Sequence, residues 1–158
     1  MSIELSHNEF EVLVQHPFVS DLKAPHLELL GGCASTMSFA AGEYIFREGQ
    51  DADRVYLICE GMVCVELPRS PGELLSIQTI DAGGVVGWSW LFPPYRWHFQ
   101  ARAVRPCRTI SLDGKRLHEL CEQDNELGYQ LVKRFAHVLF HRLQAARLQF
   151  LSFNDQLK

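Results

Sequence analysis

Between Met37 and Leu112 the chain is a succession of short apolar stretches cut by turn residues at roughly every 8–12 positions, and few folds accommodate that rhythm. Successive side chains of an extended strand point to opposite faces. Stretches such as Tyr44-Ile45-Phe46 and Val63-Cys64-Val65 therefore need apolar cover that only a sandwich or a closed barrel supplies. Phe39 to Phe46 reads as strand and Glu48-Gly49-Gln50-Asp51 as the turn after it. Val55–Cys59 and Met62–Leu67 flank Glu60-Gly61, a pair suited to a tight hairpin with the glycine at positive φ. Pro68 to Gly72, with two prolines, reads as a loop, Leu74–Ile80 as strand, and Asp81-Ala82-Gly83-Gly84 as a turn. From Trp97 to Val104 the residues Trp97, Phe99, Ala101 and Ala103 alternate with His98, Gln100, Arg102 and Val104, a strand with one apolar face. Arg108–Leu112 is the last strand.

Helical signals bracket this region. Ser6-His7-Asn8-Glu9 has the form of a capping box, and the helix it opens should stop near Pro17. Pro25 opens a second short helix that Gly31-Gly32 ends, by the left-handed geometry glycine allows. Asp113 caps a helix to about Glu122, and Asp124 caps a long one to about Phe153. The order helices, strands, helices predicts an α+β fold, a β-barrel between helical ends. It forms a single domain over 1–158: N-terminal helices in 1–36, barrel in 37–112, hinge and long helix in 113–153.

Charge and cysteine content narrow the function. A net charge of -4 argues against a general nucleic-acid binder. The polar start MSIELSHNEF is no secretory leader, and no apolar run reaches the roughly 18 residues of a membrane span. The expected setting is the cytoplasm, with no membrane partner. Cys33, Cys59, Cys64, Cys107 and Cys121 include no CxxC pair, and several alternate with apolar residues, so they read as free thiols packed in the core.

The segment Gly42-x-x-Ile45-Phe46-x-Glu48-Gly49-x-x-Ala52-x-x-x-Tyr56-x-Ile58-x-x-Gly61-x-Val63-x-Val65 resembles the first half of cyclic-nucleotide-binding domains, those of catabolite-activator-type bacterial regulators, kinase regulatory subunits and gated channels. Gly83-Gly84-Val85-Val86-Gly87 looks like the start of that family's phosphate-binding cassette, and the last two helices look like its hinge and dimerisation helices. The resemblance covers roughly residues 10–153. It implies a jelly-roll β-barrel that holds a small ligand. In the transcription-factor members a helix-turn-helix domain follows the long helix. Here the chain ends at Lys158, so the expectation is an effector domain with no direct sequence-specific DNA binding.

The resemblance also implies a glutamate for the ribose after the cassette glycine and an arginine for the phosphate at the next strand. This sequence has Trp88 at the first position and, counting back from Arg102-Ala103, Trp97 at the second. A hydrogen bond to a charged group is worth about 1.5–3 kcal/mol, so loss of the arginine weakens phosphate binding roughly ten- to 150-fold. Arg96 lies next door, but strand neighbours face opposite ways, and it substitutes only if the Pro93-Pro94-Tyr95 loop shifts the register. The cassette residues to weigh are Gly83, Gly84, Gly87, Trp88, Ser89, Trp90, Arg96, Trp97, His98 and Phe99. Three outcomes stay open. The indoles fill the cavity, the rings form a pocket for another flat ligand, or a cyclic nucleotide is kept by Arg96, Ser89 and backbone N–H groups. No cofactor is fixed by the sequence; a cyclic nucleotide or another small ligand is the candidate. The functional expectation is a stand-alone small-molecule sensor with altered or lost cyclic nucleotide affinity. The alternative is a degenerate barrel serving as a dimeric protein-interaction module.

No catalytic constellation emerges, and no metal site is expected. His137 and His141 have the i, i+4 spacing of a metal pair, but no third ligand is evident and surface histidines are the plainer reading. On the long helix, Tyr129, Val132, Ala136, Leu139, Leu143, Ala146, Phe150 and Phe153 follow an unbroken 3-4 spacing. Leu127, Leu131, Phe135 and Val138 widen the apolar face toward the barrel. About 29 residues of helix extend roughly 43 Å, longer than a small barrel is wide. A parallel homodimer through Val132, Ala136, Leu139, Leu143, Ala146, Phe150 and Phe153 is expected, with a protein partner as a further option. Arg134, Arg142 and Arg147 read as dipole, salt-bridge or partner contacts.

Overall fold

The computed structural model describes residues 5–156. Two helices, α1 (His7–Gln15) and α2 (Ala24–Gly31), precede β1 (Ala34–Phe39), β2 (Tyr44–Phe46), β3 (Arg54–Glu60), β4 (Met62–Ser70), β5 (Glu73–Asp81) and β6 (Val85–Val86). A 3₁₀ turn at Ser89–Leu91 leads to β7 (Gln100–Ala103) and β8 (Cys107–Asp113), and the chain ends in α3 (Gly114–Gln123) and α4 (Asn125–Gln156). The strands form two antiparallel four-stranded sheets, β1-β8-β3-β6 and β2-β7-β4-β5, the jelly roll that the family resemblance implies. No helix among the described residues is long and apolar enough to cross a membrane.

The sheet β1-β8-β3-β6 is covered on both sides. Tyr56 and Ile58 of β3 point into the barrel beside Phe39, Phe46, Val63, Val86 and Trp97. Val55 and Leu57 of the same strand point out, under a helical layer that includes Leu13, Leu30, Leu117, Leu127, Leu131 and Phe135. A strand buried on both faces needs a continuous apolar run, and Val55 to Ile58 is one. The caps fall where the sequence places them. Glu9 N–H donates to Ser6 Oγ at 3.2 Å, Ser6 N–H donates to Glu9 Oε1 at 3.0 Å, and Asp113 and Asp124 accept from Arg116 N–H and Leu127 N–H at 3.0 Å each. The cysteines pack as expected: Cys33, Cys64 and Cys107 are buried, and burial pushes the Cys33 thiol up to about 11.

Several local expectations are corrected. Glu60-Gly61 is no hairpin: β3 pairs with β8 and β6, β4 pairs with β5 and β7, and the chain crosses between sheets at Gly61. That corner requires glycine, with φ at 102° and a Cβ that would meet the Pro106 carbonyl oxygen at 2.5 Å. The stretch Phe39–Phe46 is likewise two strands in different sheets, and β1 begins at Ala34, three residues before Met37. Pro68 lies within β4, not in a loop. β7 pairs with β4 only as far as Glu66, so Pro68 loses no ladder bond on that side. The strand predicted from Trp97 shortens to Gln100–Ala103, because Trp97 N–H donates to the Gln50 carbonyl outside the sheet. Gly32 ends α2 with φ at −69°, right-handed, so the left-handed stop is not used.

His16 fastens the N-terminal helices to the barrel. Its Nδ1 accepts from Phe18 N–H at 3.2 Å, which leaves Nε2–H to donate to the Ile58 carbonyl at 3.0 Å. Burial lowers its pKa and so favours the neutral ring in the fold. The stabilising contribution is then complete above the ordinary histidine value of about 6.5 and is lost as the pH falls through the lower folded value. Thermal melts from neutral to acidic pH should show this loss, and an NMR titration should place His16 below 6.5; a midpoint at or above that value would refute the assignment. Gly61→Ala should destabilise the fold by more than the ~1–2 kcal/mol of a left-handed residue alone, because the new methyl also meets backbone; chemical denaturation measures it.

Candidate functional site

The cassette begins where β5 turns back. Gly83, at φ 91°, and Gly84 redirect the chain into the two-residue β6, which pairs Val85 and Val86 with Leu57 and Tyr56. Gly87 follows at φ 103°, then Trp88 and the 3₁₀ turn. This places Gly87, Trp88, Ser89, Trp97, His98 and Phe99 around one pocket at the barrel mouth. The free space there is about 10 Å³, room for no more than one water molecule.

Trp97 is what fills it. The indole is 4% exposed and stacks on Phe46 with centroids 3.8 Å apart and planes 12° from parallel. A Cβ on Gly87 would stand 2.8 Å from the Trp97 ring, so glycine there also lets the indole in. Trp88 is half-buried and meets Phe99 edge-on at 5.9 Å. His98 is exposed at the mouth.

Four of the cassette residues do not line the pocket: Gly83 and Gly84 face a cleft beside α4, and Arg96 and Trp90 turn away from the pocket. Arg96 points outward: Nη1 donates to the Gly49 carbonyl at 3.1 Å and pairs with Asp51 at 3.2 Å, so no register shift brings it to the Trp97 position. Trp90 is 2% exposed but packs in the helical layer, against His118 at 5.2 Å and Phe135 at 5.3 Å. A 3₁₀ turn rotates about 120° per residue, so Trp88 and Trp90 leave it on different sides. The Trp90 carbonyl is held in turn by His118 of α3, Nε2 to O at 2.6 Å.

One pocket residue lies far away in sequence. Arg142 of α4 lines the same cavity, donates to the Val85 carbonyl, and sets its guanidinium 4.7 Å from the Trp88 ring centre. Cation and indole face attract at that separation. Burial lowers the Arg142 pKa to about 10. No salt bridge to Arg142 forms among the described residues, and its contacts are with the cassette instead. A signal was present: Leu131, Phe135, Val138 and Arg142 step along α4 at 4-3-4 spacing, so a cation takes the next place in the stripe that covers the barrel. Arg134 does form a salt bridge, to Asp21. Arg102 is engaged elsewhere, its Nε donating to the buried Glu66 carboxylate at 2.6 Å.

Outside the cassette, His137 and His141 bring their Nε2 atoms to 2.9 Å on the exposed side of α4. Among the described residues no set of three histidine, cysteine or acidic side chains could hold a metal ion. Tyr129, Val132, Leu143, Phe150 and Phe153 of the α4 seam stand between 49% and 67% exposed, while Leu127, Leu131 and Phe135 are at most 1% exposed against the barrel.

Residues 36–124 match the cyclic nucleotide-binding domain family. A curated relative, the anaerobic regulatory protein of Bacillus subtilis (strain 168), is 27% identical over 119 residues, 74% of this chain and 50% of its own. The chain thus spans about half the length of the curated relative it matches. A candidate cyclic nucleotide-binding protein from Geobacter metallireducens GS-15 superposes with a TM-score of 0.75 at 29% identity, over 84% of this chain and 96% of its own. The regulatory subunit of a cAMP-independent protein kinase A from Trypanosoma brucei shares the fold at TM-score 0.67 and 23% identity, over 94% of this chain and 50% of its own. The chain belongs to the cyclic nucleotide-binding domain family.

Trp97→Ala should open the cavity and destabilise the protein by about 3–5 kcal/mol, the range for emptying a large aromatic site. Chemical denaturation checks it; a loss under ~1 kcal/mol would mean that the indole is not packed as described.

Proposed function

We propose that this family member is a regulatory module whose barrel no longer takes cyclic nucleotides, and that it works as a parallel homodimer through α4. One observation carries the reading: the Trp97 indole lies stacked on Phe46 inside the barrel, at the position where the family resemblance puts the phosphate arginine. The neighbouring cation, Arg96, is spent on Gly49 and Asp51. An indole offers one N–H and no charge, against the five charged donors of a guanidinium. Trp88, where the resemblance puts the ribose glutamate, accepts nothing from a hydroxyl. The Trypanosoma brucei subunit gives a precedent within the fold, since it is described as cAMP-independent. A mutant of it that includes a threonine-to-arginine change is described as bound to cAMP in its A site.

The regulatory part rests on how the cassette is tied to the helices. His118 of α3 holds the Trp90 carbonyl and Arg142 of α4 holds the Val85 carbonyl. A change at the pocket therefore reaches both helices, provided that whatever binds prefers one helix arrangement over another. The dimer rests on the exposed seam of α4, a helix of 32 residues and so about 48 Å. A run of apolar side chains at 3-4 spacing with that exposure is what a two-stranded coiled coil buries. A second reading, a protein-interaction module with no ligand at all, is favoured by the free space of only about 10 Å³.

Calorimetric titration with cAMP and cGMP should give no heat of binding at millimolar nucleotide, and the melting temperature should not move. Micromolar binding of either would defeat the proposal. The double substitution Trp88→Glu with Trp97→Arg should gain cAMP affinity by at least the ten- to 150-fold expected for one charged hydrogen bond. For the dimer, light scattering should give twice the chain mass, and Leu143→Glu should shift it to the monomer with the melt of the barrel unchanged; a monomeric wild type would refute this half.

A further inference from the structure

Arg142 combines partial burial with the lack of an acidic partner, which sets it apart from the four arginines held in salt bridges. Arg96, Arg102, Arg108 and Arg134 each have an acidic partner within salt-bridge distance. Arg54 donates to Ser35 and Ser111, and Arg116 to the Gly32 carbonyl. Arg142 has one neutral carbonyl, an indole face, and no carboxylate among the described residues. It is also half-buried, and that burial lowers its pKa. A cation taken from water without a counter-charge is costly, and the cost falls when an anion reaches it.

Its neighbours specify the rest of the ligand. Trp88 is half-buried, with the Arg142 guanidinium over its face and Phe99 edge-on to it, and no protein group among the described residues accepts from its indole N–H. It is less enclosed than Trp97, which is stacked and buried. A Trp88 side chain that swings outward leaves room for one indole-sized ring under the Arg142 guanidinium, with Phe99 edge-on beside it. Carboxylates match the guanidinium fork in bidentate geometry. We propose that Arg142 and the Trp88 slot form a site for a flat aromatic carboxylate, in which the ring replaces the Trp88 indole and the carboxylate pairs with Arg142. The proposal rests on the reading that cyclic nucleotides are not the ligand. It deepens that reading by naming a ligand class and by assigning recognition to α4, where a bound anion holds the helix to the cassette.

The test uses the full chain and four probes: indole-3-acetate, indole, acetate and cAMP. NMR or calorimetric titration of the wild type should show indole-3-acetate binding at least ten times more tightly than indole or acetate, the low end of a charge-assisted contact. Arg142→Met should erase that preference. Arg142→Lys, which keeps the charge and loses the fork, should keep part of it and guards against a folding defect in the methionine variant. Trp88→Ala, with the slot already vacant, should bind indole-3-acetate more tightly than the wild type, and Arg142→Met in that background should remove the gain over indole. Failure of the wild type to bind indole-3-acetate, equal affinity for indole and indole-3-acetate, or a preference that survives Arg142→Met would each overturn the proposal. Binding of cAMP would instead refute the functional reading beneath it, and the indole arms would still decide whether Arg142 receives carboxylates.

Discussion

A sheet covered on both faces makes an unpartnered polar side chain costly, and β1-β8-β3-β6 is such a sheet. The buried Trp90 indole N–H in the helical layer has no partner, but polar side chains of the sheet's own strands are satisfied. Thr109 Oγ1 donates to the Met37 carbonyl at 2.9 Å, Ser35 and Ser111 share a hydrogen bond of 2.9 Å, and Arg54 donates to Ser111 at 3.1 Å. His16 reaches the same sheet from outside and binds the Ile58 carbonyl in its neutral form. The cassette hangs from the short edge strand, β6, so its shape is set by what packs on either side of that sheet.

On the barrel side the decisive packing is aromatic. In the family pattern the cassette is held ready for an anion by charge; here it is held by stacking. Trp97 on Phe46 and Trp88 under Arg142 supply dispersion and cation–π attraction that do not wait for a ligand. A site furnished with charged side chains carries a desolvation penalty until its ligand arrives, whereas one furnished with rings is stable when closed. Arg142 departs from this rule, because it comes from a helix that itself covers the pocket.

Much of the architecture was legible because it follows from local rules. The capping box at Ser6 and Glu9, the caps at Asp113 and Asp124, and the glycines at positive φ are dictated within a few residues of themselves. The errors arise where distant pairing decides. Glu60-Gly61 has hairpin chemistry, yet its flanking strands join different sheets, since a jelly roll changes sheet at such corners. Pro68 breaks strands as a rule and is accommodated because β7 has already ended beside it. Within the site, the indoles at 88 and 97 could be located by comparison with a family pattern. The outward turn of Arg96 and the burial of Trp90 depend on how a loop folds back on Gly49 and on α3, which no spacing encodes. Arg142 was visible as a position in a stripe but not as a neighbour of Trp88, because fifty-four positions of chain separate them (142 − 88).

The two carbonyls held by helices stand at either end of the same short stretch, Val85 at its start and Trp90 five positions on (90 − 85). A segment held at both ends moves only if one of those contacts gives. Displacement along it loads one hydrogen bond to α3 and one to α4. Trp88 stands between the two held carbonyls, so a change at that ring bears on both contacts at once.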